Sequence, residues 1–306
     1  MNQFTHEVAQ QVIYGVDEKD NYTLGQVGNT PMGGYAQFLT DKEALREAKF
    51  GLPWQSFWEK GDPQQVRQLG ELLQLIESAG ATIYNGTEIP NFQTVVANET
   101  WDWDWGTTRG FPNESEYTVV KVDFYNDIQL YLSELENTDI SSLEDIVQYN
   151  IDNYGSEGGY PDIHPAFGSG QDGLVASLET GGVQDETYFQ ALEFTQRTTS
   201  EEGIGAALRL PDGTTLDGLL APPDVGQSYQ IAAQAGYPVI TVPAGVNEVS
   251  RMPYGLSIMG TAWSEASLIK WASAIEDLQK STDTPYKRTK PEWNGYLERN
   301  LPVINA

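Results

Sequence analysis

The 306-residue sequence predicts an α/β fold. Three observations carry that prediction. A strand–helix–strand pattern runs from Lys49 to Tyr84, amphipathic helical stretches fill the middle, and short apolar strands alternate with helices in the last third. The length permits one large α/β domain or two ordinary ones, with enough chain to bury a substantial core.

The elements follow in order. Thr5–Val16 reads as an opening helix with Thr5 placed to cap it, followed by an Asp/Asn-rich turn through Asp20. Lys49–Leu52 is a short strand stopped by Pro53. Pro63–Ala79 has Val66, Leu69, Leu72, Leu73 and Ile76 at three-to-four spacing, the signature of a helix, and Gly80 supplies its stop. Ala81–Tyr84 is the next strand. Further on, Asp123–Leu135 places Phe124, Ile128, Tyr131, Leu132 and Leu135 on one helical face. Ser142–Tyr149 is a third helix, with Ser141 as its cap and Glu144 in its first turn. Asp185–Glu202 is a longer helix ending near Gly203. In the last third, Leu219–Ala221, Val239–Val242 and Gly255–Met259 read as strands, and Ser228–Ala235 and Glu265–Leu278 as helices.

Composition narrows the function classes. Asp and Glu number 44 against 17 Lys and Arg, a net charge of −27, so a field of one sign repels phosphate backbones and nucleic-acid binding is not expected. The basic cluster Lys287, Arg288 and Lys290, set between prolines, reads as a solvated loop. Aromatics at 11% argue against global disorder despite the charge. The absence of cysteine removes thiolate nucleophiles, disulfides and zinc–sulfur sites. No apolar run reaches the length of a membrane span, and Met1–Gln11 lacks the basic-then-apolar order of a secretory signal.

Local motifs carry little recognisable chemistry. No G-x-S-x-G turn is present to expose a serine nucleophile. Of the two histidines, His6 reads as a helix-surface residue and His164 as a loop histidine hydrogen-bonded to backbone. Gly168, Gly170 and Gly173 satisfy G-x-G-x-x-G, yet the residues before them, with Pro161 and Pro165, read as loop rather than strand, which argues against a dinucleotide site. Trp101-Asp102-Trp103-Asp104-Trp105 alternates so that a strand would set both carboxylates on one face. No further ligand spacing supports a metal there, and a half-buried structural strand or loop is the expectation.

The most specific stretch is Ala235-Gly236-Tyr237-Pro238-Val239-Ile240-Thr241-Val242-Pro243-Ala244-Gly245, which resembles the AGxPxxTxPxG segment of the amidase signature family. Met252–Gly260 followed by Trp263-Ser264-Glu265 is similar to that family's LPxGLxxxG…WxE ending. Asp217–Pro222 resembles its D-x-L-x-x-P strand, and Gly15–Thr23 its GxDxxDxxT turn. Tyr35–Leu39 and Ile146–Asn150 add weaker matches, and the fungal amidase-like branch is the most similar. Read physically, Gly236 suits a sharp helix exit, Pro238 and Pro243 bracket a short strand, and Gly245 ends it.

The resemblance implies part of a mixed sheet covered by helices, and hydrolysis of carboxylic amides, with esters as a further class, by a serine–cis-serine–lysine triad. In that chemistry a neutral lysine acts through the bridging serine on the nucleophile to form an acyl-enzyme, with backbone N–H groups stabilising the oxyanion and no metal or organic cofactor. Here the sequence departs from the family. Its Gly/Ser-rich stretch and preceding lysine strand are absent, and Lys19 falls in the turn that the family places after the nucleophile.

Residues 1–306 are therefore expected to form one N-terminally incomplete domain that lacks the central catalytic elements and is inactive alone. No catalytic, cofactor-binding or metal-ligating residue is assigned within it. A small-molecule amide would bind only with the missing half supplied. The alternative is a non-catalytic binding or regulatory module that retains the scaffold. A third reading places hydrolysis at His164, Ser169 and Asp172.

Overall fold

Among the described residues, five strands form one sheet in the order β2-β1-β3-β5-β4. They are β1 (Lys49–Leu52), β2 (Thr82–Asn85), β3 (Gly218–Ala221), β4 (Val239–Val246) and β5 (Pro253–Met259). The structure is a computed structural model that describes residues 14–97, 104–223, 225, 228–249 and 251–282. The described residues fall into two compact units, one comprising 14–97 with 195–282 and the other 104–194.

The first unit holds the sheet. β1 pairs in parallel with β2 (Phe50 opposite Ile83) and with β3 (Gly51 opposite Leu219). β5 runs antiparallel to both β3 (Leu220 opposite Ile258) and β4 (Ile240 opposite Ile258), so the sheet is mixed. Helix α1 (Pro63–Ser78) joins β1 to β2 as the periodicity predicts. Asp62 starts it, accepting from the N–H groups of Gln64 and Gln65 at 3.0 Å each, with Pro63 at the first position where no amide is needed.

The core packs Leu69, Leu72 and Ile76 of α1 with Phe50, Leu219 and Ile258 of the sheet and with Trp271 and Ile275 of the last helix, Glu265–Ser281. Each such side chain contributes about 1.5–3 kcal/mol by leaving water. Phe50 and Trp271 meet edge to face at 6.0 Å. Segment 36–42 is lashed to that last helix: the Thr40 amide donates to Ser273 Oγ, its hydroxyl donates to the Lys270 carbonyl, and the Lys42 amide donates to Asp277.

Helix α2 (Glu116–Ser133), α3 (Leu143–Asp152), α4 (Asp172–Thr180) and the beginning of α5 (Glu186–Thr199) belong to the second unit. Gln171 is buried within it. Its amide nitrogen donates to the carbonyls of Val147 and Gly159, and its oxygen accepts from Asn150, fixing α3 against the loop before α4. The Tyr188 hydroxyl donates to Asp123, tying α5 to α2.

Several boundaries differ from the sequence expectation. Helix α2 starts at Glu116, seven residues early, and it buries Val122 and Leu132 while Phe124, Tyr131 and Leu135 of the expected face stay exposed. Ser142, not Ser141, caps α3 by accepting from the Asp145 amide; Asp145 in turn accepts from the amide and hydroxyl of Ser141. Those bonds hold the Asp145 carboxyl below the usual carboxylate range. Gly203 does not end α5: the chain continues through a π turn, Ser200–Ile204, to Ala207. Of the opening helix, residues 1–13 lie outside the described residues, and Tyr14–Val16 are not helical, with Gly15 at φ +124°. β4 and β5 are both longer than expected. β4 is continuous through Pro243, with a bulge between Pro243 and Gly245, because an edge strand tolerates a residue that cannot donate.

Helices α6 (Ser228–Ala235) and α7 (Glu265–Ser281) start where the pattern places them. Among the described residues no helix is long and apolar enough to cross a membrane.

Candidate functional site

In open α/β sheets, ligands gather beyond the carboxyl ends of parallel strands. Here β2, β1 and β3 lie side by side in parallel, and the turns leaving β1 and β2 are clasped together by one carboxylate. Glu88 accepts from the amides of Gln55 (3.0 Å) and Ser56 (2.8 Å) and from the Ser56 hydroxyl (2.7 Å). The same Ser56 oxygen accepts from the Ile89 amide at 3.2 Å. Ser56 is fully buried with its hydroxyl used both ways, so it locks two turns rather than offering a nucleophile.

Two indoles line this edge. Trp58 is buried, its Nε1 donates to the Leu220 carbonyl at 2.9 Å, and the exposed Trp54 stacks parallel to it at 6.0 Å. Lys60 donates to the Ala97 carbonyl at 2.7 Å, and burial pushes its amine below the usual lysine range. The arrangement is a rigid aromatic platform with one half-buried ammonium. The sequence reading did not single it out. The spacing of Trp54 and Trp58 was a visible signal, whereas the Ser56–Glu88 clasp joins residues 32 apart and has no local signature.

The structure gives the residues singled out from sequence the following surroundings. His164 is buried in a loop, its Nδ1 accepts from the Ala166 amide at 3.1 Å, and its ring lies 4.9 Å from that of Phe167. Ser169 is exposed in a turn. Asp172 is exposed in the first turn of α4, its carboxylate accepting from the adjacent Gly173 amide. Gly168 and Gly170 precede helix α4 and Gly173 lies in its first turn, but a loop rather than a strand leads into them. His6, Trp101–Trp103, Lys287, Arg288 and Lys290 lie outside the described residues. Asp104 and Trp105 are not in a strand: they enter a helical turn, Trp105–Thr108, where the Arg109 guanidinium lies 5.4 Å from the Trp105 ring and pairs with Glu114 at 3.0 Å. Among the described residues, no three His, Asp or Glu side chains converge as metal ligands would.

The motif residues have clear local jobs. In the Gly15–Thr23 turn, Asp17 accepts from the Lys19 amide, Asp20 from the Tyr22 amide, and the Thr23 hydroxyl donates to the carbonyls of Asp17 and Asp20 while accepting from the Asp17 amide. Each polar side chain satisfies backbone that no helix or sheet would otherwise serve. Asp217 joins β1 to β3: its carboxylate accepts from the Lys49 amide at 2.8 Å and its own amide donates to the Lys49 carbonyl at 2.7 Å. Burial raises its carboxyl above the usual range, against the opposing pull of the Lys49 amide and of Lys270 and Lys49.

Gly236 ends α6 at φ +65°, with its amide bonded to Ala233 and the Tyr237 amide to Ala232, the paired bonds of a Schellman cap. Thr241 and Ser257 share a hydrogen bond of 2.7 Å across the β4–β5 pair. Tyr254, near the start of β5, donates to Gln68 of α1; burial, Glu71 and Glu248 push its hydroxyl up to about 12.

No family profile matches the chain. It is 50% identical over 299 residues to an amidase-named protein of Schizosaccharomyces pombe, a match covering 96% of this chain and 49% of that protein. An amidase-named protein of Arabidopsis thaliana is 27% identical over 267 residues, covering 86% of this chain and 44% of the relative. Among solved structures, the native peptide amidase of Stenotrophomonas maltophilia superposes with a TM-score of 0.65 at 28% identity, covering 86% of this chain and 48% of that one. The chain thus spans about half the length of the relatives it matches. On these matches, the chain is a partial-length relative of amidases of the amidase signature family.

Proposed function

We propose that this chain is the scaffold-bearing part of an amide hydrolase, and that the serine nucleophile, bridging serine and lysine lie outside its 306 residues. The observation that carries the reading is the 50% identity to an amidase-named protein over nearly the whole chain but only 49% of that protein. The serine- and glycine-rich stretch of the family has no counterpart in the sequence, which supports the same reading. Small carboxylic amides are the substrate class, and the chemistry proceeds through an acyl-enzyme without a metal or organic cofactor. The exposed face of Trp54, backed by the buried Trp58, serves as a wall of the substrate region rather than as the reacting centre.

A serine-reactive fluorophosphonate probe tests this. The 306-residue chain remains unlabelled under conditions that label a full-length relative. Labelling of the chain at a single serine, abolished by denaturation, overturns the reading; if that labelling requires His164, the loop histidine site replaces it.

A further inference from the structure

Residues 14–39 expose an unusual set of apolar side chains. Tyr22 is 96% exposed, Met32 95% and Val27 70%, and Val16, Leu24 and Leu39 are exposed as well. Such clusters mark surfaces that another molecule covers. The backbone beneath them is held by its own polar groups. Besides the knot of Asp17, Asp20 and Thr23, the Gln26 side chain accepts from the Gly15 amide at 2.8 Å and donates to the Gly15 carbonyl at 3.0 Å. Gln37 donates to the carbonyls of Met32 and Gly34 at 2.8 and 2.7 Å. The apolar groups are therefore displayed from a fixed frame, which lowers the ordering cost of docking.

Trp263 extends this face. It adopts φ +61°, a conformation that costs a bulky residue about 1–3 kcal/mol, and it is 46% exposed. Its indole lies 3.7 Å from where a Cβ on Gly25 would stand, so it packs on the Asn21–Gln26 turn that presents Tyr22 and Leu24. An indole laid over a self-tied turn extends the apolar surface instead of closing it.

We propose that the face formed by residues 16–39 and Trp263 docks the polypeptide equivalent to the half of the amidase relatives that this chain does not span. The inference rests on the function proposed above. The relatives fix the occupant: this chain covers 49% of one and 48% of another, so each carries a further stretch of similar size. An apolar, preordered face on the matching half is suited to that stretch, supplied in the same chain or as a separate one.

The test mixes the purified 306-residue chain with a second polypeptide comprising the part of the Schizosaccharomyces pombe relative that it does not match. Sedimentation and backbone hydrogen exchange follow binding, and amide hydrolysis is measured on the same samples. A one-to-one complex forms, and amides of residues 14–39 gain protection. Tyr22→Asp and Met32→Asp each weaken the complex at least about tenfold, while Val249→Asp, at the exposed β4–β5 hairpin, leaves it intact. Tyr22 and Met32 are almost wholly exposed, so these variants fold, as circular dichroism verifies. Absence of a complex, equal sensitivity to Val249→Asp, or protection confined to other residues overturns the docking face. A complex that depends on Tyr22 and Met32 but hydrolyses no amide leaves the face standing and removes the proposed function. A hydrolysing complex indifferent to both substitutions does the reverse.

Discussion

Asp217 joins two strands through a single side chain, and its titration reports the cost of burying it. Its folded carboxyl lies above the ordinary range because desolvation outweighs the Lys49 amide bond and the nearby lysines. A carboxyl raised on folding contributes most below its unfolded pKa and loses that contribution as pH rises through the folded pKa. Asp217→Asn keeps an oxygen to accept from the Lys49 amide and carries no charge. Urea unfolding therefore finds the variant at least as stable as the parent at neutral pH, with the difference shrinking as pH falls through the raised carboxyl pKa. Asp217→Ala, which strips the acceptor, costs about 1 kcal/mol where the carboxyl is protonated and less at neutral pH, where it also removes a charge that burial disfavours. Gly236→Ala forces an L side chain into φ +65° and costs about 1–2 kcal/mol, read as a lower urea midpoint with an unchanged slope.

Strand pairing sets the requirements at the scale of elements. Gly255 faces Thr241 so closely that a Cβ would stand 2.3 Å from the Thr241 methyl and 2.9 Å from the Val242 carbonyl. Gly255→Ala destabilises by about 1–3 kcal/mol. Thr241→Ser in the same chain recovers part of the loss, because it removes the methyl and keeps the hydroxyl that bonds Ser257. A double-mutant cycle in urea measures that coupling. Much of this layer was legible in the sequence. The five strands, α1 and the starts of α6 and α7 follow from apolar spacing and from punctuation by Pro53, Gly80 and Gly236. What was not legible has physical causes. Helix α2 mixes apolar residues around its whole circumference, so periodicity could not choose the buried face. The π turn after Thr199 continues past a glycine because Gly203 is buried there rather than freed in a turn. The candidate site was less legible still: Glu88 and Ser56 meet through the pairing of β1 with β2, and the scaffold roles read for the motif glycines and prolines do not extend to the hydrogen-bond partners of Asp217 or Thr241.

For the whole molecule, charge and partnership dominate. A net charge of −27 on 306 residues makes self-repulsion a standing cost of compactness. Raising ionic strength from about 0.01 M to about 0.5 M shortens the screening length well below the 10 Å typical of 0.1 M salt, so the thermal midpoint of the chain rises; a falling midpoint would show that its ion pairs outweigh the repulsion. The sheet and its core are ordered within this chain, while the relatives it matches are about twice as long. The most direct measurement is amide hydrolysis by the purified 306-residue chain, alone and with the complementary half of its Schizosaccharomyces pombe relative. The chain alone is expected to give a rate equal to buffer, with turnover only when both halves are present. Turnover by the chain alone, lost on denaturation, would contradict the proposed function.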